Sequence, residues 1–92
     1  MVLYMAYMGL FFSKPNIGNE EFKKVRSYLD SNGFSEHDLM ELKKIFSASL
    51  TNHGIDRKEL VAALHWLREN MGSHTFNKSQ VELIEEAMTK KL

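Results

Sequence analysis

Residues 34–46 read FSEHDLMELKKIF, and this pattern decides the fold because the chain repeats it. The same order of residue types recurs at 55–67 (IDRKELVAALHWL) and at 76–88 (FNKSQVELIEEAM), each copy 21 residues further along the chain. An earlier copy at 17–29 (IGNEEFKKVRSYL) begins 17 residues before the first. Such self-similarity indicates one structural unit that is used several times.

Each copy carries the start signal of a helix. Its first residue is apolar, and its second is Gly, Ser, Asp or Asn, which are the residue types favoured at a helix N-cap. Three residues after the N-cap stands Glu, Asp or Gln, which completes a capping box, and the next residue is apolar and can close a hydrophobic staple. The later apolar residues have the spacing of one helical face. We therefore predict an all-α fold with helices at 18–31, 35–50, 56–71 and 77–91.

Short joints connect the first three of these helices. Asn32-Gly33 and His53-Gly54 place glycine where a helix commonly ends in a left-handed residue. Joints this short are typical of helices that pack as antiparallel or steeply crossed neighbours. The third helix has few polar residues in its middle (residues 60–67, LVAALHWL), and a helix that is apolar all round is normally buried. We therefore predict that the third helix is central.

Length and composition indicate a single folded domain. The chain has 92 residues, of which 43% are hydrophobic and 26% charged, with one proline. This composition is too apolar for a disordered protein. We assign residues 1–92 to one helical domain, with a four-helix core at 17–92 and an apolar N-terminal segment at 1–14.

The N-terminal segment carries the strongest functional signal in the sequence. Residues 1–12 (MVLYMAYMGLFF) contain no charged side chain, and they are too few to span a bilayer as a helix. They can cover the core of their own domain or form a self-association surface, because a large apolar patch is costly in water. The candidate interaction surface consists of Leu3, Tyr4, Tyr7, Leu10, Phe11 and Phe12.

Two further interpretations of the chain remain open. Residues 1–13 could serve a membrane-surface adaptor, and residues 8–13 (MGLFFS) fit the N-myristoylation pattern if translation begins at Met8. The second and third helices could form a helix-turn-helix nucleic-acid reader with Arg57, Lys58, His65 and Arg68 on its recognition helix. Nucleic acid is not the favoured partner, however, because 12 basic and 12 acidic residues cancel and are spread along the chain.

The sequence predicts neither catalysis nor a bound cofactor. There is no cysteine, which excludes disulfides and thiolate sites and favours a reducing, cytoplasmic location. No two histidines stand four residues apart on one helix, so we expect no metal, and His53 and His74 are predicted to interact with helix C-termini. Ser35, His37 and Asp38 belong to a helix cap and lack the sequence signature of a catalytic triad.

The joints at 28–39 and 49–60 resemble a shortened EF-hand loop, with a glycine, an apolar residue and a later acidic residue before leucine. The glycine lies five residues before the acidic residue, whereas six is the EF-hand spacing, and most calcium-ligating carboxylates are missing. We predict no calcium binding and assign no family. The sequence as a whole favours a non-enzymatic helical protein–protein interaction module that self-associates as a homodimer or binds another protein.

Overall fold

The fold is all-α, as the repeat predicts. The computed structural model describes residues 16–92, and in this range the helices are α1 (Asn19–Ser31), α2 (Glu36–Asn52), α3 (Arg57–Glu69) and α4 (Lys78–Thr89). Their ends lie within two residues of the predicted bounds. Among residues 16–92 the only β-type pairing is one isolated antiparallel bridge between Ile17 and Ile55.

Capping boxes begin three of the four helices. At the start of α2 the Asp38 N–H donates to the Ser35 hydroxyl at 3.0 Å, and the Ser35 N–H donates to the Asp38 carboxylate at 3.1 Å. Equivalent pairs begin α3 and α4, whereas Gly18 precedes α1 without a side-chain cap. The reciprocal bonds satisfy backbone N–H groups that have no partner within a helix.

Two glycines make the short joints possible. Gly33 has φ +96° and Gly54 has φ +88°, both in the left-handed region that side chains disfavour. Next to Gly54, the backbone of the joint pairs with the segment that precedes α1. The Ile17 N–H donates to the Ile55 carbonyl at 2.9 Å, and the Ile55 N–H donates to the Ile17 carbonyl at 2.8 Å. The joint between α2 and α3 is therefore bonded to the segment that precedes α1.

The apolar residues that precede the four helices meet in pairs. Ile17 and Ile55 form the bridge just described, and the rings of Phe34 and Phe76 lie 5.9 Å apart. All four side chains are buried. The starts of α1 and α3 thus pair with each other, and so do the starts of α2 and α4.

Asp38 ties the starts of α2 and α4 together. Besides its cap, its carboxylate accepts hydrogen bonds from the Thr75 hydroxyl at 2.9 Å and from the Gln80 side-chain amide at 3.2 Å. Burial by itself would raise the pKa of Asp38, but the hydrogen bonds from Ser35, Thr75 and Gln80 favour the ionised form and together lower that pKa below its ordinary value. The ionised Asp38 therefore stabilises the folded chain.

The helices pack in the spatial order α2, α1, α4, α3. The closely packed pairs are α1 with α2, α1 with α4, and α3 with α4. The prediction of a central third helix was wrong, because among the described helices α3 packs closely against α4 alone. Ala63 packs partly against the core, whereas Val61 remains 60% exposed. The inner positions belong to α1 and α4, each of which contacts two other helices.

Candidate interaction surface

The outer face of α3 is formed by six exposed residues on the side opposite its buried stripe. With about 100° of rotation per residue, they fall within one sector of the helix surface. Val61 and Trp66 are exposed by 60% and 44%, and Ala62 and His65 lie between them. Lys58 and Glu69 stand on the same face, one at each end. We call this set the outer face of α3: Lys58, Val61, Ala62, His65, Trp66 and Glu69.

The internal repeat shows that the middle of this face is unusual. Four positions in the middle of this face are Val61, Ala62, His65 and Trp66. The repeat aligns them with Lys23, Lys24, Ser27 and Tyr28 in α1, and with Met40, Glu41, Lys44 and Ile45 in α2. In α4 the aligned residues are Glu82, Leu83, Glu86 and Ala87. Each of those three sets includes two carboxylate or lysine side chains, whereas the α3 set includes none. Among the four helices, α3 alone has no carboxylate or lysine at this set of positions.

Ring contacts hold Trp66 in place. Its ring lies 5.8 Å from the ring of His74, which in turn lies 5.5 Å from Phe76. His74 Nδ1 accepts from the Phe76 N–H at 3.2 Å, so Nε2 carries the proton and donates to the Leu67 carbonyl at 2.7 Å. His74 thus binds a carbonyl near the end of α3, where the sequence predicted it. An aromatic side chain fixed in this way loses little conformational entropy when a partner covers it.

Three charged residues of α3 differ in whether they have a partner. Arg68 donates a hydrogen bond to the Glu85 carboxylate of α4, so this arginine helps to join the two helices. Lys58 and Glu69 make no ion pair with any of residues 16–92. Their charges remain available to an outside partner.

One group of side chains near α3 has metal-ligand types. His53, Asp56 and Glu59 offer ligand atoms that all lie within 4.8 Å of one another. Their contacts already have a structural role: Asp56 and Glu59 form the capping box, and His53 Nε2 lies 3.1 Å from the Glu59 carboxylate. The positive end of the helix dipole also disfavours a cation at this place. The capping box is therefore sufficient to explain the cluster.

Of the three residue types that could suggest a catalytic triad (Ser35, His37 and Asp38), Ser35 and Asp38 form the cap of α2. The Ser35 hydroxyl accepts the Asp38 N–H, and the Asp38 carboxylate is shared among Ser35, Thr75 and Gln80. His37 is exposed on the following turn. The contacts of Ser35 and Asp38 thus join the starts of α2 and α4.

A second surface feature is a groove of about 560 Å³ along α2. Arg26, Lys43 and Lys44 line it together with Glu36 and Glu41, so both signs of charge are present. Leu39 and Met40, of which Met40 is 68% exposed, add two apolar side chains. Because its lining mixes both signs of charge with apolar side chains, the groove indicates the chemistry of a partner less specifically than the outer face of α3 does.

The structure tests only some of the predicted site residues. Leu3, Tyr4, Tyr7, Leu10, Phe11 and Phe12 lie outside the described residues. The basic residues of the helix-turn-helix alternative, Arg57, Lys58, His65 and Arg68, are all exposed, with Arg68 bonded to Glu85. Within residues 16–92, no helix is both long enough and apolar enough to cross a bilayer.

The sequence prediction missed the outer face of α3 because it took a helix without charges in its middle to be a buried one. The internal repeat contained the signal that could have identified the face. Leu60, Ala63 and Leu67 correspond to the apolar core positions of the other copies, so Val61 and His65 occupy positions that are exposed in each of them.

The sequence matches no protein family, no characterised protein and no solved structure.

Proposed function

We propose that this chain is a non-enzymatic helical protein–protein interaction module that self-associates through the outer face of α3. The observation that carries the proposal is the exposure of Val61 and Trp66 around Ala62 and His65, without a carboxylate or lysine between them. Contiguous apolar surface on a small domain commonly marks an interaction site. Because Val61 is 60% exposed, complete burial of its side chain would contribute about 1–2 kcal/mol.

The size of the surface sets the strength we expect. A contact between two short helices buries less than the roughly 1,200 Å² at which stable interfaces begin, so a pair held by α3 alone is weak. The predicted apolar surface at residues 3–12 would enlarge the contact. The cytoplasmic location inferred from the absence of cysteine remains a prediction that accompanies this proposal.

The experiment measures the mass of the full chain by sedimentation equilibrium over a wide concentration range. We expect the average mass to rise with concentration and Val61→Lys to shift the rise to higher concentration. Met40→Lys is the matched control, because it replaces an exposed apolar side chain with lysine on α2 instead of α3. Thermal unfolding followed by circular dichroism checks that both variants remain folded.

Two results would contradict the proposal. A chain that stays monomeric at every concentration does not self-associate, and association that Val61→Lys leaves unchanged does not use the outer face of α3. The same samples with duplex DNA and with lipid vesicles test the two alternatives. Binding to either by the monomer, without self-association, would replace the interaction-module proposal.

A further inference from the structure

The outer face of α3 is complementary to itself. Lys58, Ala62, His65 and Glu69 follow one another at intervals of four, three and four residues, the spacing of the contact line in paired helices. The positions of these four residues are symmetrical about the point between Ala63 and Leu64. Lys58 and Glu69 are equally distant from that point, and so are Ala62 and His65. One end of the line is positive and the other is negative.

From this symmetry we propose that two copies of the chain pair antiparallel along α3. In this pair Lys58 lies opposite the partner's Glu69 at both ends, and Ala62 and His65 meet around a twofold axis. The small side chain of Ala62 allows the helices to approach closely, while Val61 and Trp66 close the two sides of the contact. This inference rests on the proposed self-association and specifies its geometry.

The charges favour the antiparallel arrangement over the parallel one. In a parallel pair each Lys58 would face the partner's Lys58, and each Glu69 the partner's Glu69, so both ends would repel. In the antiparallel pair both ends attract. Neither residue has an ion-pair partner within residues 16–92, so no existing pair must break.

The charges also favour a second copy over the chain's own N-terminal residues as the occupant of this face. Residues 1–12 contain no charged side chain, so none of their side chains can form a salt bridge with Lys58 or Glu69. A second copy supplies a partner for each. A contact in which the same surface serves both subunits is also the commonest arrangement in homodimers.

Cysteine cross-linking tests the register directly, because the chain has no cysteine of its own. Lys58→Cys and Glu69→Cys are prepared as full-length single variants and mixed under mild oxidation. The antiparallel pair brings residue 58 of one copy beside residue 69 of the other, so the mixed disulfide should dominate. Each variant alone should cross-link poorly, because its two sulfurs would stand about 16 Å apart along the helix, beyond the reach of a disulfide.

Charge reversal provides a second readout. Lys58→Glu or Glu69→Lys places like charges at both ends of the pair and should weaken association by about 5- to 30-fold. The double variant with both changes restores the attraction in the antiparallel register and should associate within about threefold of the original chain. Lys23→Glu is the control, since Lys23 occupies the position on α1 equivalent to Val61 and is likewise exposed.

The outcomes separate this geometry from the proposed function. Self-association that Val61→Lys weakens, combined with homodisulfides and no mixed disulfide, would overturn the antiparallel register and leave the interaction-module proposal standing. A full chain that remains monomeric would overturn both. If Val61→Lys then lowered the melting temperature of that monomer and Met40→Lys did not, the chain's own N-terminal residues would be the occupant.

Discussion

Gly54→Ala tests the contact that holds the entry of α1 against the joint between α2 and α3. A Cβ atom at position 54 would lie 2.9 Å from the Ile17 carbonyl oxygen and 3.0 Å from the Asn16 Cβ. The Ile17 backbone has little room to move, because both of its hydrogen bonds to Ile55 are in place and the Asn16 side-chain amide donates to the His53 carbonyl at 3.0 Å. The substitution therefore strains the backbone and forces these bonded segments apart.

Gly33→Ala is the matched control for this change. Gly33 also has a left-handed φ, but a Cβ atom there would meet nothing within 4 Å. A side chain in the left-handed region costs about 1–2 kcal/mol, which both variants lose. Gly54→Ala adds the cost of overpacking, about 1–3 kcal/mol. We expect a loss of about 1–2 kcal/mol at Gly33 and about 2–5 kcal/mol at Gly54.

Equilibrium urea unfolding measures the difference. Far-UV circular dichroism and the fluorescence of Trp66, the only tryptophan, report on the same transition from two probes. A domain of this length has a total stability of about 5–14 kcal/mol, so a loss of the predicted size is readily resolved. Equal losses at the two glycines would refute the argument, because they would show that the close approach of Ile17 at Gly54 has no energetic consequence.

Three further predictions follow from the helix caps and the core. Because the folded-state pKa of Asp38 is lowered, its charge stabilises the fold above its unfolded-state pKa, and this contribution is lost as the pH falls through the folded-state value. Asp38→Asn should therefore reduce the slope of melting temperature against pH in the acid range, measured by thermal melting at a series of pH values. A slope equal to that of the original chain would contradict this role. Leu64→Asp should unfold the domain and Val61→Asp should not, since Leu64 is 5% exposed and Val61 is 60% exposed; circular dichroism distinguishes them. Asp56→Ala should cost about 1 kcal/mol in urea unfolding through the lost N-cap, whereas His37→Ala at an exposed position should be nearly neutral, and equal effects would refute the predicted cap register.

The self-association proposal depends on a part of the molecule that sequence patterns describe poorly. Hydrophobic periodicity identifies the side of a helix that is buried when the remaining sides are polar. In α3 the remaining sides lack charge in the middle, so periodicity alone cannot distinguish a buried helix from one that presents an apolar surface. Comparison with the other copies identifies the exposed side at Val61 and His65, whose equivalents are all exposed. It does not do so at Leu64, which is buried although Arg26, Lys43 and Glu85 stand at the equivalent positions.

The sequence by itself determined the secondary structure of residues 16–92. Caps, staples and glycine ends are local features, formed by residues within about five positions of one another, so their chemistry can be read directly from the chain. Ser35 with Asp38, Asp56 with Glu59, and Asn77 with Gln80 all form the predicted capping boxes. Gly33 and Gly54 end their helices in the predicted way.

Only the tertiary structure decided which helices pack together and which surface remains outside. The bridge between Ile17 and Ile55, the ring contact between Phe34 and Phe76, and the bonds from α4 to Asp38 join residues roughly 40 positions apart. The close packing of α1 with α2, α1 with α4 and α3 with α4 places α1 and α4 inside and α3 outside. Four similar amphipathic helices can satisfy the same local rules in several packing orders, and the order is set by the side chains that meet across the core.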